Sequence, residues 1–400
     1  MPDPGSREFD IVLFGATGFT GRLTAEYLAR HAPAGCRGAL AGRSMERLEE
    51  VRRDLASLDG GAHPALARLP LLHADVEDAA SMADLARRAR VVISTVGPYQ
   101  QFGEPLVAAC AEAGTDYVDL TGESEFVDTM YVRYHEQAVR NGARIVHACG
   151  FDSIPHDLGA LFTVRQLPDD VPLRVRGMVR ASGTFSGTTF HSAINAFSRA
   201  GQARAAAAER RRVERRPEGR RVRSITERPH FDKDAGCWLV PLPTIDPQIV
   251  KRSAVALDEY GPDFGYAHYA AVKKLPTVVG GVGAVGALAA AAQLPPLKRF
   301  LLGRVPVGEG PDPERRARSR FSVRFVGEGG GLRVHTEVTG GDPGYEETAK
   351  MLSESAFSLA FDDNPLVAGS VTTAQAMGDH LLDRLVKAGI GFTVTAIEPA

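Results

Sequence analysis

Gly15, Gly18 and Gly21, three residues apart, are the first side-chain-free positions in the chain whose spacing could do chemistry. Before them Ile11-Val12-Leu13-Phe14 is an apolar run of the kind a buried parallel strand needs. After them Leu23-Thr24-Ala25-Glu26-Tyr27-Leu28 is patterned as a helix. A strand, a glycine turn and a helix N-terminus together make an anion cradle, because the free N–H groups of the first helical turn and the helix dipole both favour a phosphate. Gly15 permits the tight turn, Gly18 lets a pyrophosphate approach the backbone, and Gly21 lets the helix pack against the strand. Ala16, Thr17, Phe19 and Thr20 complete the loop. The spacing is G-x-x-G-x-x-G, so the setting, directly after an N-terminal strand, points to a dinucleotide as much as the glycines do.

Other candidate residues stand at the ends of the strands that follow. The second, Gly38-Ala39-Leu40-Ala41-Gly42, runs into Arg43-Ser44 where NAD-binding units place a carboxylate for the ribose 2′-hydroxyl. A guanidinium and a hydroxyl suit a 2′-phosphate, which predicts NADP(H). Arg43 as a solvated turn residue and Ser44 as the cap of a helix over 45–58 are the plainer readings, and both pairs of roles are compatible. The third strand, residues 69–74, ends at Asp75-Val76, placed to accept from an adenine amino group and to pack on its ring. The fourth, residues 90–96, ends in Thr95-Val96-Gly97-Pro98-Tyr99, beside the crevice where a doubly wound sheet holds the nicotinamide half of its cofactor.

These motifs require a particular scaffold. Strands at 11–14, 38–42, 69–74, 90–96, 116–120 and 143–148 alternate with helices, the pattern of a parallel, doubly wound sheet. The predicted fold class is therefore α/β, with a dinucleotide-binding domain over residues 1–150. From Cys149 the pattern changes. Residues 151–370 read as a second, α+β domain with an antiparallel sheet, including a hairpin of 320–326 and 332–338 and a helix over 346–359. Residues 371–400 add a helix and a strand that could pack back on the first domain.

Composition narrows the function classes. Four hundred residues with a formal charge of −2 give no bulk attraction to nucleic acid. Arginine outnumbers lysine 40 to 7, which discounts arginine counts as functional signals. Cys36, Cys110, Cys149 and Cys237 are scattered, which predicts neither a metal site nor a disulfide framework and fits a reducing, cytoplasmic setting. Residues 204–223 hold nine arginines against three glutamates, a local +6. They form either a solvated face or a docking face for an acidic carrier protein or anionic membrane, and no aromatic residue interleaves for base stacking. Residues 275–297 carry no charge between Lys273-Lys274 and Lys298-Arg299. That stretch reads as a buried or tunnel-lining segment, as a peripheral membrane contact, or as a span; its helical middle, at about 24 Å, falls short of the roughly 30 Å hydrocarbon core.

Gly15-Ala16-Thr17-Gly18-Phe19-Thr20-Gly21, Leu40-Ala41-Gly42-Arg43, Thr95-Val96-Gly97-Pro98-Tyr99, Tyr117-Val118-Asp119-Leu120-Thr121-Gly122-Glu123 and Gly150-Phe151-Asp152-Ser153-Ile154-Pro155 together resemble the saccharopine dehydrogenase-like oxidoreductases. Tyr260-Gly261-Pro262-Asp263-Phe264 and Gly341-Asp342-Pro343-Gly344-Tyr345 are similar to segments of the trans-acting enoyl reductase branch. The resemblance implies a Rossmann domain, a second α+β domain, and an NADPH-dependent reduction. The implied substrate is an apolar, unsaturated lipid or polyketide acyl chain on an acyl carrier protein or synthase. A saccharopine-type amino-acid adduct dehydrogenase and a non-catalytic, lipid-associated NADP-binding protein are the alternatives. Reduction of an activated double bond leaves an enolate that needs donors and a proton. Tyr99 could be that donor, or a ring packed at the loop. Asp152 could orient a donor, or cap the helix starting near Pro155. His156 could titrate near neutrality, or serve as a capping residue. Ser186, Thr188 and Thr189 could bind a carbonyl oxygen or cap a helix.

Overall fold

The computed structural model describes residues 7–61, 63–182, 187–215, 217–225, 227–304 and 312–400. The first stretch alternates as the hydrophobic patterning predicts: β1 (Phe9–Phe14), α1 (Phe19–His31), β2 (Gly38–Gly42), α2 (Met45–Ala56), β3 (Leu71–His73), α3 (Ala79–Arg88), β4 (Ala89–Ser94), α4 (Tyr99–Phe102), α5 (Glu104–Ala113), β5 (Asp116–Asp119), α6 (Ser124–Asn141) and β6 (Arg144–Val146). The apolar runs become strands because both faces of the sheet are covered: all six residues of β1 are buried. Capping sets the helix starts. Ser44 accepts from the Arg47 amide and Asp78 from the Ala80 amide.

The chain continues through α7 (Ile154–Val164), β7 (Leu173–Ala181), α8 (Gly187–Ser198), α9 (Ala200–Val213), β8 (Arg221–Ser224), β9 (His230–Asp232), β10 (Cys237–Pro241), α10 (Asp246–Ala256), β11 (Asp263–Val272), α11 (Leu275–Ala292), α12 (Pro295–Arg304), α13 (Pro313–Arg318), β12 (Phe321–Gly329) and β13 (Leu332–Gly340). It ends with α14 (Glu346–Phe361), β14 (Gly369–Val371), α15 (Thr373–Lys387) and β15 (Gly391–Pro399).

These elements form two units. One takes Met1–Phe151 and Tyr345–Leu385, the other Asp152–Gly344 and Val386–Ala400. The first unit is built on a seven-stranded sheet in the order β14-β6-β5-β4-β1-β2-β3, with every pairing parallel. The order 3-2-1-4-5-6 within it is that of a doubly wound, Rossmann-type sheet. Helices α3, α5 and α6 pack side by side as one layer, while α1 packs with α2 and α14 as the other. The second unit is a mixed sheet in the order β15-β13-β12-β7-β11-β10-β9, with β8 beside β11. Helix α7 lies on β7, β12 and β13. A Cβ at Gly159 would come within 2.4 Å of the Phe325 ring, so only glycine lets the helix sit that close.

Two of the expected boundaries are corrected. The return to the first unit begins at Tyr345, not at residue 371, so α14 belongs to the Rossmann sheet. The first half supplies too few helices to cover both faces of that sheet. The almost wholly buried α14 fills the gap against β1, β4 and β5, and β14 adds a seventh strand beside β6. The final strand, β15, does not pack on the Rossmann unit. It pairs antiparallel with β13 and extends the second sheet.

Candidate functional site

The glycine turn has the geometry its spacing predicts. Gly15 has φ +91°, its amide donates to the Ala41 carbonyl at 3.0 Å, and its own carbonyl accepts from the Gly18 amide at 3.1 Å. A Cβ on Gly21 would lie 2.1 Å from the Gly15 carbonyl oxygen, so that glycine is required by the approach of α1 to β1. Gly18 differs. It is exposed, with φ −76°, and a Cβ there would meet nothing nearer than 3.6 Å. The fold leaves room at Gly18, on the side where a pyrophosphate would approach. No side chain caps α1 and no acidic residue lies in its first turn. An open glycine and a helix start without a carboxylate fit a bound dinucleotide. The loop is braced from within the unit. The Thr95 hydroxyl donates to the Phe14 and Gly15 carbonyls, the Thr24 hydroxyl to the Thr20 carbonyl, and the Phe19 ring meets the Tyr345 ring edge-on at 5.0 Å. Ala16 is fully buried, and Thr17, Phe19 and Thr20 are half-buried.

The remaining residues of the predicted cofactor site converge on the carboxyl ends of β1, β2, β3 and β4. Arg43, just past β2, is exposed and enters no hydrogen bond or ion pair among the described residues, which leaves its guanidinium open to a 2′-phosphate. Ser44 spends an acceptor lone pair on capping α2 and keeps its hydroxyl proton. The Asp75 carboxylate accepts from the Glu77 amide at 3.1 Å and Val76 is packed against the core. Val96 packs there too, and its Cγ2 would stand 2.7 Å from a Cβ on Gly15. The Gly97–Pro98 peptide is cis, and Pro98 leads into α4.

Of the two readings of Tyr99, its surroundings fit the ring packed at the loop. Its ring is 6% exposed; its hydroxyl donates to the Ser94 carbonyl at 2.9 Å and accepts from the Leu120 amide at 3.2 Å. Burial, reinforced by Asp119, raises its pKa well above the ordinary tyrosine value. A hydroxyl so held ties the end of β4 to the end of β5 and is not poised to give up a proton. The sequence reading assigned no role to Glu123, whose two carboxylate oxygens accept from the Tyr99 and Gln100 amides at 3.0 and 2.9 Å. Its place in the Thr121-Gly122-Glu123 strand end was the available signal. Asp119 was likewise unassigned. It anchors the turn after β6, accepting from the Ala148 amide at 2.9 Å and contacting buried His147 at 2.7 Å.

In the second unit the structure assembles a cluster that the sequence only half disclosed. His156, in the first turn of α7, is buried, and its Nδ1 stands 2.7 Å from Asp246 Oδ1. It is not the surface or capping residue of the plainer reading. Asp246 opens α10, and its other oxygen lies 3.6 Å from Nε2 of buried His268 on β11. The two imidazoles meet edge-on at 4.8 Å. Burial pushes the Asp246 carboxyl up, but the attraction and hydrogen bond of His156, with His268 and Thr244, overcome it and hold the group below the usual carboxylate range. Burial pulls His268 down to about 4, against the pull of Asp246. Asp152 keeps its surface open to solvent although protein crowds it closely. That crowding, with Asp246 adding to it and His156 opposing, pushes it up to about 6.

His156, Asp246 and His268 could in principle share a metal ion, since one ligand atom from each lies within 4.8 Å of the others. The 2.7 Å separation of His156 and Asp246 is that of a hydrogen bond. Two ligands about 2.0–2.1 Å from a tetrahedral zinc stand roughly 3.4 Å apart. The pair stands closer together than two ligands of one tetrahedral zinc would. Residues 183–186, with Ser186, lie outside the described residues.

The two surface segments also resolve. Of the nine arginines in 204–223, Arg210 is buried against Glu214, Arg220 donates to the Ala254 and Leu257 carbonyls, and Arg223 pairs with Asp263 at 3.2 Å. The run is thus partly internal scaffolding. Of the readings given for residues 275–297, burial in the core does not hold: only 11% of α11 is buried.

Residues 11–146 match the saccharopine dehydrogenase NADP-binding domain. A trans-acting enoyl reductase of Mycobacterium tuberculosis is 37% identical, over 98% of this chain and 99% of its own. That of Mycobacterium ulcerans is 34% identical over the same shares. Among solved structures, apo saccharopine dehydrogenase (L-Glu forming) from Saccharomyces cerevisiae superposes with a TM-score of 0.56 over 97% of this chain and 100% of its own, at 12% identity, a likeness of fold alone. The chain belongs to the trans-acting enoyl reductase family and is an NADP(H)-dependent oxidoreductase built on the saccharopine dehydrogenase fold.

Proposed function

We propose that this oxidoreductase reduces the C=C bond of an unsaturated acyl thioester presented in trans by a carrier protein or synthase, the activity for which its relatives are named. NADPH, when bound, supplies the hydride. The chain's own residues must bind the dinucleotide, exclude water and hold a proton for the carbon next to the thioester carbonyl. The glycine turn, Arg43 and the Thr95–Tyr99 loop do the first of these in the Rossmann unit. Glu123 and the Tyr99 hydroxyl hold that loop in place.

The observation that carries the reading is the Asp152–His156–Asp246–His268 cluster in the second unit. Asp246 stays ionised and fixes His156 through Nδ1. His268 stays neutral. Asp152, raised to about 6 and open to solvent, can carry a proton close to neutral pH and release it to an enolate carbon. The charge of His156 opposes that rise and keeps the Asp152 proton labile. Two carboxylates in one cluster suit a neutral thioester. They would repel the carboxylates of a saccharopine-type adduct, which disfavours that alternative.

Incubation with NADPH deuterated at C4, followed by mass spectrometry, tests the reading. Label is expected at the β-carbon of an acyl thioester when an enoyl thioester is supplied, with solvent hydrogen at the α-carbon. Label transferred instead to a keto-acid and amine pair would establish the adduct dehydrogenase. No transfer to the enoyl thioester would overturn the reading.

A further inference from the structure

We propose that α11 and α12 form a docking surface for an anionic lipid bilayer, with α11 lying in the interfacial plane. The inference stands apart from the enoyl assignment and rests on how this segment is held. Helix α11 is long and apolar enough to cross a membrane, yet it is left almost uncovered. From Val279 to Ala287 every residue is exposed, including Val279 at 65%, Val282 at 50% and Val285 at 48%. Leu294, Leu297 and Phe300 continue the exposed apolar surface through α12. Nine consecutive exposed residues cover two and a half turns, so solvent reaches every face of that stretch. A flat protein partner covers one stripe of a helix. Acyl chains and the headgroup boundary surround it.

The charge around the segment selects the partner. Between Asp263 and Glu309 the sequence has no carboxylate. The same stretch carries Lys273, Lys274, Lys298, Arg299 and Arg304 at the two ends of the apolar surface. Such a surface repels a second copy of itself and attracts anionic headgroups.

The anchoring selects the orientation. Both ends of α11 are tied to the second unit: Val278 is buried at its start and Ala292 at its end, the Gln293 side chain donates to the Phe197 carbonyl at 2.6 Å, and Lys298 Nζ donates to the Ser198 hydroxyl at 2.9 Å. Strand β11 before it and β12 after it belong to the same sheet. A helix of 18 residues is about 27 Å long, and the ten of α12 reach only about 15 Å, too short to recross a hydrocarbon core of about 30 Å. Insertion along the interface keeps both anchors.

The test is flotation of the NADPH-loaded protein with phosphatidylcholine vesicles with and without roughly one-third phosphatidylglycerol. Partitioning at least ~10-fold stronger into the anionic vesicles is expected, falling as salt rises toward ~1 M. The Val279→Glu/Val282→Glu/Val285→Glu variant is expected to lose at least ~10-fold in partitioning while binding NADPH as before, because those side chains are exposed and lie outside the nucleotide-binding unit. Lys273→Glu/Lys274→Glu should remove the preference for anionic vesicles. An environment-sensitive label on Val282→Cys, in a Cys36→Ser background, should shift to the blue on vesicle addition. Equal partitioning into both vesicle types, no flotation, or an unshifted label overturns the proposal. So does a stable dimer that the triple variant splits, since a second copy then covers the helix.

Discussion

Replacing Arg43 by alanine separates the 2′-phosphate from everything else the protein does with its cofactor. Arg43 is exposed and bonded to nothing among the described residues, so its removal leaves no buried partner stranded. Folding stability is then expected to change by less than about 0.5 kcal/mol, as at other free surface positions. A hydrogen bond to a charged group contributes about 1.5–3 kcal/mol. Solvent around an exposed guanidinium reduces this, so a loss of about 1–2 kcal/mol is expected, or roughly 5–30-fold in the NADPH dissociation constant. NADH, which lacks the phosphate, should bind the variant and the parent alike. The contrast should shrink with added salt, because the Debye length falls from about 10 Å at 0.1 M to about 3 Å at 1 M. Fluorescence titration of both nucleotides against both proteins, with thermal melts as control, is sufficient. Equal losses for NADPH and NADH, or an unchanged NADPH affinity, would refute the assignment of Arg43 to the 2′-phosphate.

Three further substitutions address the rest of the site. Gly21→Ala forces a Cβ to within 2.1 Å of a backbone oxygen; it should destabilise by about 1–3 kcal/mol and weaken NADH and NADPH together, read by melting and titration. Gly18→Ala has room in the protein, so calorimetry should find stability preserved and both nucleotides weakened; unchanged affinity would place the pyrophosphate elsewhere. Glu123→Ala strips the acceptor from two amides and should cost about 1–3 kcal/mol in stability, with nucleotide binding loosened through the Tyr99 loop. The pH dependence has a defined sign. His268, lowered from 6.5 to about 4, stabilises the fold fully above 6.5, and that contribution is lost as pH falls toward 4. Asp152, raised from 3.8 to about 6, acts oppositely: its contribution is full below 3.8 and gone above 6. Asp152→Asn should therefore raise the melting temperature relative to the parent at pH 8 more than at pH 4. It should also abolish the fall in enoyl reduction as pH rises through about 6.

The Rossmann sheet was legible in the chain because its strands are short apolar runs punctuated by glycine, a pattern that depends on neighbours in sequence. The glycine turn, Arg43 and the Thr95–Tyr99 loop were legible for the same reason: each sits at a strand end whose position the alternation sets. Asp246 and His268 were not. They lie about 90 and 112 residues after His156 on a helix and a strand of unremarked pattern, and only the fold brings the three together. Tyr99 is the converse case, where the residue was visible but two readings stayed open. Its type and place invite a catalytic role, but the amide of Leu120 and the carbonyl of Ser94 claim its hydroxyl. Helix α11 was visible as a greasy segment, but composition alone cannot distinguish a core helix from one left bare.

The interrupted Rossmann unit has a consequence for how the protein is made. Residues 1–151 emerge from the ribosome with one face of their parallel sheet covered only by α1 and α2, since α14 and β14 lie beyond residue 345. At about 5–20 residues per second, the missing layer follows some 10–40 seconds later. During that interval the second unit's first segment is synthesised and the nascent sheet lacks the cover that α14 gives chiefly to β4 and β5. A chaperone that shields apolar surface should therefore engage this chain early and release it only after Phe361 has emerged. A fragment ending at residue 151 should aggregate even though it contains the whole nucleotide-binding motif.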